Sequence, residues 1–510
     1  MRLRAKGVSL GEYGVKTHPA WSEANGGSGY HIMRTEEEQN RLFLAVAHYG
    51  LGLGACKVQN WCLRDDPTWV FPWGIFYPNQ LVPKDVAYVH RNESIVWRFF
   101  RPVYRPAPLA VGIANCLRLG NDEGLGTAVA YRAFGDLLSL HYDFSAIDDD
   151  HLDRLTAETK AMILPCPLAM RDDAFGKLAA WVKAGGSLLL TGDCTHDESR
   201  RRTRSARLKE LAGVEFMAAT CPAGSRSEAK EVRAELSGLG IGAIALRPCV
   251  RIKPGDAEVL GKASGGEPVL VRRALGRGQV YFLTDPIEMA DDEPAATARR
   301  RLYAAFLHAA GRNGAAPIAP LGVTPDEPWL HVMAQPTAHA VVHVLYNTKS
   351  APGTAAVTIP TAAGRLTLNT RNRWPALAAV TAEGAVVAVN AYGKASVGRE
   401  TLLEGAGLKA LLSLDGNDLR RAKAILVAPF EPGRVELPPR DEPVVALVGE
   451  FRNGIWTTLE RVPLEAGKTG FDLDADRATC LILVCPAAES QRWSDRLTQA
   501  ILRPDQIGGY

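Results

Sequence analysis

Short apolar runs and amphipathic stretches alternate along the first hundred residues, a pattern that predicts two successive strand–helix units. The apolar run at 7–12 ends in Glu12 and predicts a buried strand, and the run at 55–63 predicts a second strand. Residues 35–38, Thr-Glu-Glu-Glu, form a capping-box signature for a helix between these strands, and 84–100 predicts the second helix.

From residue 109 to residue 310 strand and helix patterns continue to alternate, which is typical of a parallel sheet with helices on both faces. We therefore predict a doubly wound α/β domain. Its strands are predicted at 109–115, 160–165, 187–191, 268–273 and 278–284, and its helices at 126–140, 172–184 and 295–310.

From about Val323 the apolar positions alternate with period two between frequent turns, which predicts an antiparallel β-sandwich. The proline-rich stretch 101–108 is a candidate linker. The fold class is thus α/β plus all-β, with domains predicted at 1–105, 106–320 and 321–510. In the last domain, strands are predicted at 330–333, 340–346, 355–359, 386–391, 455–464 and 478–484, and helices at 402–413 and 493–502.

Composition and charge exclude several classes of partner. The net charge of +3 gives no support for a nucleic-acid partner, and the arginine run at 200–204 is interpreted as a solvated loop. The sequence contains no stretch of about 18 apolar residues, so it predicts no membrane span. Residues 1–6 are not followed by the apolar core of a signal peptide, so we expect a cytoplasmic protein, although a segment upstream of Met1 could direct export.

The nine cysteines are scattered, and none lies in a C-x-x-C pair or in a cysteine–histidine cluster with zinc spacing. The sequence therefore predicts no metal site and no cofactor, and free thiols favour a reducing compartment. Cys194 follows a predicted strand, where a nucleophile could sit. Because the second glycine of a nucleophile turn is missing there, a buried or loop cysteine is favoured.

Glu12 is the first candidate for chemistry. Retaining hydrolysis of a glycosidic bond uses two carboxyl groups about 5–5.5 Å apart, one as nucleophile and one as acid/base. A carboxylate at a strand tip, held by a neighbouring donor such as His18, would suit the nucleophile. The alternative is a strand-end glutamate that faces solvent or pairs with Lys16.

An aromatic loop is the second candidate. Indole and phenol rings stack on the apolar faces of sugars, and polar neighbours bind the hydroxyls. We predict Trp61, Trp73, Asp65 and His18 as substrate-binding residues. The aromatics could instead plug a barrel mouth or pack an interface, and Asp65 could form a surface ion pair. The cluster consists of Trp61, Trp69, Phe71, Trp73, Phe76 and Tyr77.

These residues resemble a known family. Residues 7–105 are similar to the last two βα units of a retaining (β/α)8 glycoside hydrolase of the clan that includes cellulase-like and β-galactosidase families. In that clan the nucleophile is a glutamate at the end of the seventh strand, which Glu12 matches, and an aromatic residue follows the eighth, which Trp61 matches. The resemblance thus implies an incomplete barrel end.

Residues 109–311 resemble the flavodoxin-like, glutamine-amidotransferase-like domain that serves in trimerisation of family 42 β-galactosidases. The segments that carry this resemblance are 131–134, 161–165, 181–190 and 275–281. The resemblance implies a carbohydrate substrate and a homo-oligomer, specifically a trimer.

The family's acid/base glutamate follows the fourth barrel strand, and these 510 residues hold no such segment. Asn92-Glu93 has the matching residue types but lies on a predicted late helix. We therefore expect a truncated enzyme, a split enzyme whose missing barrel half is a separate chain, or a degenerate relative.

Two functions remain open at this stage. The first is the C-terminal portion of a retaining glycoside hydrolase that cleaves β-glycosidic bonds, with Glu12 as nucleophile. The second is a non-catalytic scaffold that binds carbohydrate and forms oligomers.

Overall fold

The computed structural model describes residues 8–17, 33–66, 72–78, 82–117, 124–311 and 318–502. The chain divides into two compact units. One unit contains residues 104–321, and the other combines residues 7–103 with residues 322–510. The predicted first and third domains therefore lie in one unit, and their division into separate domains stays a prediction.

The first hundred residues contain two longer strands and two helices, as the apolar pattern predicts. The strands are β1 Val8–Tyr13, β2 Lys16–Thr17, β3 Met33–Arg34 and β4 Ala55–Asn60, and the helices are α1 Glu36–Gly52 and α2 Asp85–Arg98.

Strands β1 and β4 form a parallel pair, in which Tyr13 lies opposite Asn60. The predicted capping box is present. The Thr35 hydroxyl accepts the Glu38 N–H at 3.1 Å, and the Glu38 carboxylate accepts the Thr35 N–H at 3.1 Å, so the helix begins where the sequence indicates. Closure into a barrel stays a prediction.

The unit of residues 104–321 is built on one sheet of nine strands in the order β11-β10-β13-β14-β15-β8-β7-β5-β6. Its strands are β5 Leu109–Ile113, β6 Ser145–Asp148, β7 Ala161–Leu164, β8 Ser187–Thr191, β9 Val214–Ala219, β10 Val232–Leu236, β11 Ile241–Leu246, β12 Val250–Pro254, β13 Glu258–Ala263, β14 Pro268–Leu275 and β15 Gly278–Leu283. Its helices are α3 Val129–Ser139, α4 Asp172–Lys183, α5 Ala206–Ala212 and α6 Glu293–Gly311.

This sheet has helices on both faces, as the alternating pattern predicts. Apolar residues of α3 and α6 pack on one face, and those of α4 and α5 pack on the other. The prediction of a parallel sheet was wrong for one half. Strands β6, β5, β7, β8 and β15 pair in parallel, whereas β14, β13, β10 and β11 continue the sheet in antiparallel fashion.

Five unpredicted strands lie between residues 214 and 263: β10, β11 and β13 belong to the antiparallel half of the sheet, and β9 and β12 form a separate antiparallel pair. They are only five or six residues long, and several alternate between exposed and buried positions. Short strands without a long apolar run carry a weak periodic signal, which explains why the pattern did not indicate them.

Residues 322–502 form one antiparallel sheet of thirteen strands with two added helices. The strands are β16 Leu330–Pro336, β17 Ala340–Asn347, β18 Thr354–Thr361, β19 Gly364–Arg371, β20 Pro375–Thr381, β21 Val386–Val397, β22 Glu400–Ser413, β23 Ile425–Pro429, β24 Gly433–Glu436, β25 Val444–Arg452, β26 Ile455–Leu464, β27 Gly470–Leu473 and β28 Leu481–Pro486. The helices are α7 Ala475–Ala478 and α8 Ser490–Leu502.

The helix predicted at 402–413 was wrong, because this segment is the strand β22. It pairs with β21 on one side and with β23 and β24 on the other. Residues 407–413 are buried as a continuous run, so no alternation distinguishes this central strand from a buried helix. A two-layer sandwich arrangement stays a prediction.

Helices α1 and α2 share an interior with the thirteen-stranded sheet. His48 of α1 lies at the centre of this contact: its Nδ1 is 2.9 Å from Glu93 Oε1 of α2, and its Nε2 accepts Asn390 Nδ2 of β21 at 3.2 Å. All three side chains are at most 2% exposed. In addition, Asn92 Nδ2 donates to the Pro429 carbonyl at 2.7 Å. Buried polar groups are held by such bonds, which fix the helices on the sheet.

No helix in the described ranges is long and apolar enough to cross a membrane.

The buried ion pair between Arg299 and Asp136 is expected to stabilise the unit of residues 104–321. Arg299 Nε lies 2.6 Å from Asp136 Oδ2, and both side chains are nearly inaccessible. Arg299→Met leaves a buried carboxylate without this partner, so the free energy of unfolding should fall by about 3–5 kcal/mol. Native-state hydrogen exchange of β5 and β7 measures this change. The control Lys468→Met removes an exposed pair with Glu465 and should leave that exchange unaltered.

The stability of the other unit should depend on pH through Glu93. Burial raises the pKa of Glu93 to about 7 from 4.5. The folded chain then holds a proton that the unfolded chain releases between these pH values, so the free energy of unfolding falls as pH rises through that window. We expect a fall of at most about 3 kcal/mol, measured by urea titration at several pH values. Glu93→Gln should flatten the dependence. If the free energy of unfolding varied with pH in the same way for Glu93→Gln and for the parent chain, this role of Glu93 would be contradicted.

Candidate functional site

The carboxyl ends of β1 and β4 lie side by side, because the strands are parallel. The Trp61 N–H donates to the Tyr13 carbonyl at 2.9 Å. Gly14 lies so close that a Cβ there would be 2.2 Å from the Trp61 carbonyl oxygen. Any larger residue at position 14 would therefore push the two strand ends apart.

Two of the predicted substrate-binding residues, Trp61 and Trp73, come together at these strand ends. Their ring centroids are 5.9 Å apart with 58° between the ring planes. Trp61 is 42% exposed and Trp73 is 8% exposed, so one indole presents a face to solvent and the other supports it. We call Trp61 and Trp73 the aromatic corner. An exposed ring with a buried neighbour suits stacking on the apolar face of a ligand.

Glu12 directly precedes Tyr13, the residue whose carbonyl accepts the N–H of Trp61. Its side chain is exposed. The Tyr13 ring packs on Phe43 of α1 with ring centroids 4.9 Å apart. Glu12 lies in the stretch between Leu10 and Tyr13 where the pairing of β1 with β4 is irregular. The structure thus leaves the Glu12 carboxylate accessible, as a nucleophile requires.

Asp65 is placed differently from what its predicted role suggests. It is 1% exposed, and its carboxylate lies 2.8 Å from Lys84 Nζ. The same carboxylate accepts the Gly74 N–H at 2.7 Å. As placed, Asp65 holds the segment that carries Trp73. A contact between Asp65 and a sugar hydroxyl stays a prediction.

Two further buried side chains complete this polar group. Lys84 Nζ also donates to the Thr17 hydroxyl at 2.9 Å, and Gln39 Nε2 of α1 donates to the Gly74 carbonyl at 3.4 Å. Sequence reasoning missed Thr17, Gln39 and Lys84. None of them lies in a motif, and a lysine just before a helix is ordinarily a surface residue.

Parts of the predicted site fall outside the described residues. His18, Trp69 and Phe71 belong to this group. Their predicted roles stay predictions.

The Asn92-Glu93 pair lies within α2, as expected from the sequence. Glu93 faces His48 in the protein interior, and Tyr13 and Glu93 line a cavity of about 430 Å³ between β4 and α2. Glu12 is not among the residues that line this cavity. Glu93 is therefore not placed to act with Glu12 as a second carboxyl group.

In the other unit, the structure allows a test of the cysteine nucleophile. Cys194 is 2% exposed, and burial raises the pKa of its thiol. Cys166 follows β7 with a left-handed φ of 46°, the backbone conformation of a nucleophile turn, which the sequence did not indicate. Burial likewise raises the pKa of Cys166, with Glu288 nearby adding to the effect. Nucleophilic cysteines need a lowered pKa, so neither thiol is activated.

No group of three or more His, Cys, Asp or Glu side chains in the described part of the chain could hold a metal ion.

Comparison with known proteins gives one family match. Residues 131–310 match the family model described as the β-galactosidase trimerisation domain. Curated protein sequences give no match.

Solved structures of β-galactosidases have a similar fold. The enzyme from Bacillus circulans sp. alkalophilus matches with 16% identity and a TM-score of 0.52, over 73% of this chain and 55% of that one. The cold-adapted enzyme from Rahnella sp. R3 matches with 13% identity and a TM-score of 0.54, over 70% and 53%. The enzyme from the haloarchaeon Halorubrum lacusprofundi matches with 14% identity and a TM-score of 0.50, over 69% and 49%.

At these identities the similarity shows the fold alone, and the chain spans about half the length of these structures. The family match and the shared fold agree with the segments that carried the resemblance in the sequence. The match of residues 131–310 to the β-galactosidase trimerisation domain thus confirms the resemblance of the chain to the C-terminal part of a family 42 glycoside hydrolase.

Proposed function

We propose that this chain is the C-terminal portion of a retaining glycoside hydrolase that cleaves β-galactosides or related β-glycosides, with Glu12 as the nucleophile. One observation carries the proposal: the accessible Glu12 carboxylate lies at the end of a parallel strand, next to the strand end where Trp61 and Trp73 meet. An accessible carboxylate beside an exposed indole supplies two of the groups that sugar cleavage uses, namely the nucleophile and a ring for the sugar to stack on.

In the proposed reaction a Glu12 carboxylate oxygen attacks the anomeric carbon while an acid protonates the departing glycosidic oxygen. Water then attacks the glycosyl–enzyme ester, and the same acid, now a base, takes its proton. The acid/base group must lie about 5–5.5 Å from Glu12. Trp61 would stack on the sugar ring with Trp73 behind it, His18 is the proposed polar subsite residue, and Asp65 would act from beneath the corner through Gly74.

The acid/base carboxyl group would come from further βα units packed on β1 and β4. Parallel strands are ordinarily covered on both faces, whereas Ser9, Leu10 and Glu12 of β1 are exposed in the described residues. The region that this chain shares with two matched β-galactosidase structures makes up only 55% and 53% of those structures. A preceding segment or a separate chain that carries a barrel half would supply what is missing.

The match of residues 131–310 to a trimerisation domain supports a homo-oligomer. We propose a trimer of the complete enzyme, with a carbohydrate substrate and a cytoplasmic location. Light scattering that gives a monomer would contradict the oligomeric part.

A non-catalytic scaffold is the second candidate. The exposed indole of Trp61 on its buried neighbour Trp73 favours it, because this corner could bind a sugar without any carboxyl pair. Assays of the 510-residue chain together with the polypeptide that supplies the other βα units separate the candidates. Sugar binding by a complete enzyme that never turns over favours the scaffold.

The nucleophile assignment predicts the effect of Glu12→Gln. The complete enzyme is the 510-residue chain together with the polypeptide that supplies the other βα units, either in frame or co-expressed. Because glutamine cannot form the glycosyl ester, kcat for aryl β-glycosides should fall by at least about 10³-fold. Hydrolysis is measured from the released phenol.

The control for this experiment is Glu37→Gln. Glu37 is an exposed residue in the first turn of α1, and its carboxylate pairs with Arg371 at 3.2 Å. This variant should keep full activity. Undiminished hydrolysis by Glu12→Gln would overturn the assignment.

A further inference from the structure

Four buried polar side chains lie at the ends of β1 and β4, and we call Thr17, Gln39, Asp65 and Lys84 the lysine cluster. Their relative exposures are 0%, 0%, 1% and 1%. Lys84 Nζ is the hub, since it lies 2.9 Å from the Thr17 hydroxyl and 2.8 Å from the Asp65 carboxylate. A lysine is almost never fully buried unless it is paired, so this arrangement demands a physical reason.

The members of the lysine cluster come from four different segments. Thr17 ends β2, which follows β1, and Asp65 lies in the segment that follows β4. Gln39 is in the second turn of α1, and Lys84 is the N-cap residue of α2. The ammonium group of Lys84, at the start of α2, therefore contacts both the segment after β1 and the segment after β4.

The link from Asp65 to the aromatic corner is short. The Asp65 carboxylate accepts the N–H of Gly74, the residue directly after Trp73. Gly74 lies against the neighbouring backbone, because a Cβ there would be 2.3 Å from the Arg64 carbonyl carbon. The Cys62 N–H donates to the Trp73 carbonyl at 3.4 Å, which ties the residue after Trp61 to Trp73.

A second path leads from the same cluster to the strand that carries Glu12. The Thr17 N–H donates to the Pro72 carbonyl at 2.9 Å, so the segment after β1 is bound to the residue before Trp73. Lys84 also donates its backbone N–H to the Ile75 carbonyl at 3.0 Å. Residues 72–75 are thus held on both sides by bonds that meet at Lys84.

We propose that Lys84 is a positioning residue, which acts through Asp65 and Gly74 to set the angle and separation of Trp61 and Trp73. The proposal rests on the proposed function in one respect, namely that the aromatic corner receives the sugar. Asp65 is accordingly a part of the support beneath that corner. The geometry of the ring pair can be measured whether or not the chain hydrolyses anything.

Burial energetics favour positioning over simple stabilisation. A buried ion pair costs several kcal/mol per ion in desolvation, and apolar residues of the same volume often replace such a pair without loss of stability. Apolar residues cannot, however, replace a hydrogen bond that orients a peptide unit. A carboxylate that accepts one backbone N–H fixes that peptide unit in orientation, and the unit here is the one joined to Trp73.

The experiment uses Lys84→Met in the full 510-residue chain. Two indoles at 5.9 Å give an exciton couplet in circular dichroism, and Trp73→Phe identifies the part due to this pair. We expect Lys84→Met to lose more than half of that couplet. In the complete enzyme, KM for an aryl β-glycoside should rise at least about tenfold with a smaller change in kcat, because sugar binding is weakened at the corner.

Two further variants keep the test decisive. Lys84→Met leaves Asp65 buried without its partner and could unfold the chain, so Lys84→Met with Asp65→Asn removes both charges together. The matched control is Arg299→Met, which breaks a buried ion pair in the other unit and should leave the couplet unchanged.

An unchanged couplet in a folded Lys84→Met chain, or in the folded double variant, would overturn the positioning role. A lost couplet with activity absent from the parent enzyme would uphold positioning and reject the proposed hydrolase function. The two failures are therefore distinguishable.

Discussion

A parallel pair of strands has two faces, and the candidate site depends on the difference in burial between neighbouring residues of β1. Tyr13 packs on Phe43 of α1, whereas Glu12, the residue before it, is exposed. Strands that pair in parallel ordinarily need cover on both sides. Glu12 is therefore accessible because, in the part of the chain that the structure describes, this stretch of the strand pair has no such cover.

Near the same strand ends, a second group of side chains is completely buried. There the side chains of Lys84 and Asp65 are enclosed, and their bonds converge on the backbone that carries Trp73. A site needs reactive groups that can be reached and a support that does not yield. In this chain Glu12 and Trp61 are exposed, and the ion pair of Lys84 with Asp65 is buried.

The sequence predicted local features well wherever one residue type has a single structural use. Thr35 with Glu38 placed the start of α1, and the apolar runs placed β1, β4, β5, β7, β8 and β15, whereas the four-residue parallel strand β6 was not predicted. The aromatic residues indicated the corner where Trp61 meets Trp73. All of these signals are contained within a few neighbouring residues.

What the sequence could not predict depends on contacts between distant segments. The strand β22 has no alternation, because neighbours on both sides bury it, and a helix fits its pattern equally well. Asp65 reads as a surface residue until Lys84, 19 positions later, is placed beside it. Likewise, His48 meets Asn390 across 342 positions, a separation that no local pattern reports.

The division of the chain into units has a consequence for its biogenesis. Helices α1 and α2 rest on strands that begin only after residue 321, with the whole of residues 104–321 made in between. Translation at about 5–20 residues per second leaves these helices without their sheet for roughly 10–40 s. During that interval the sides of α1 and α2 that contact the sheet in the folded chain have no cover from it. Nascent chains of this protein should accordingly be clients of ribosome-associated chaperones until the final third has emerged.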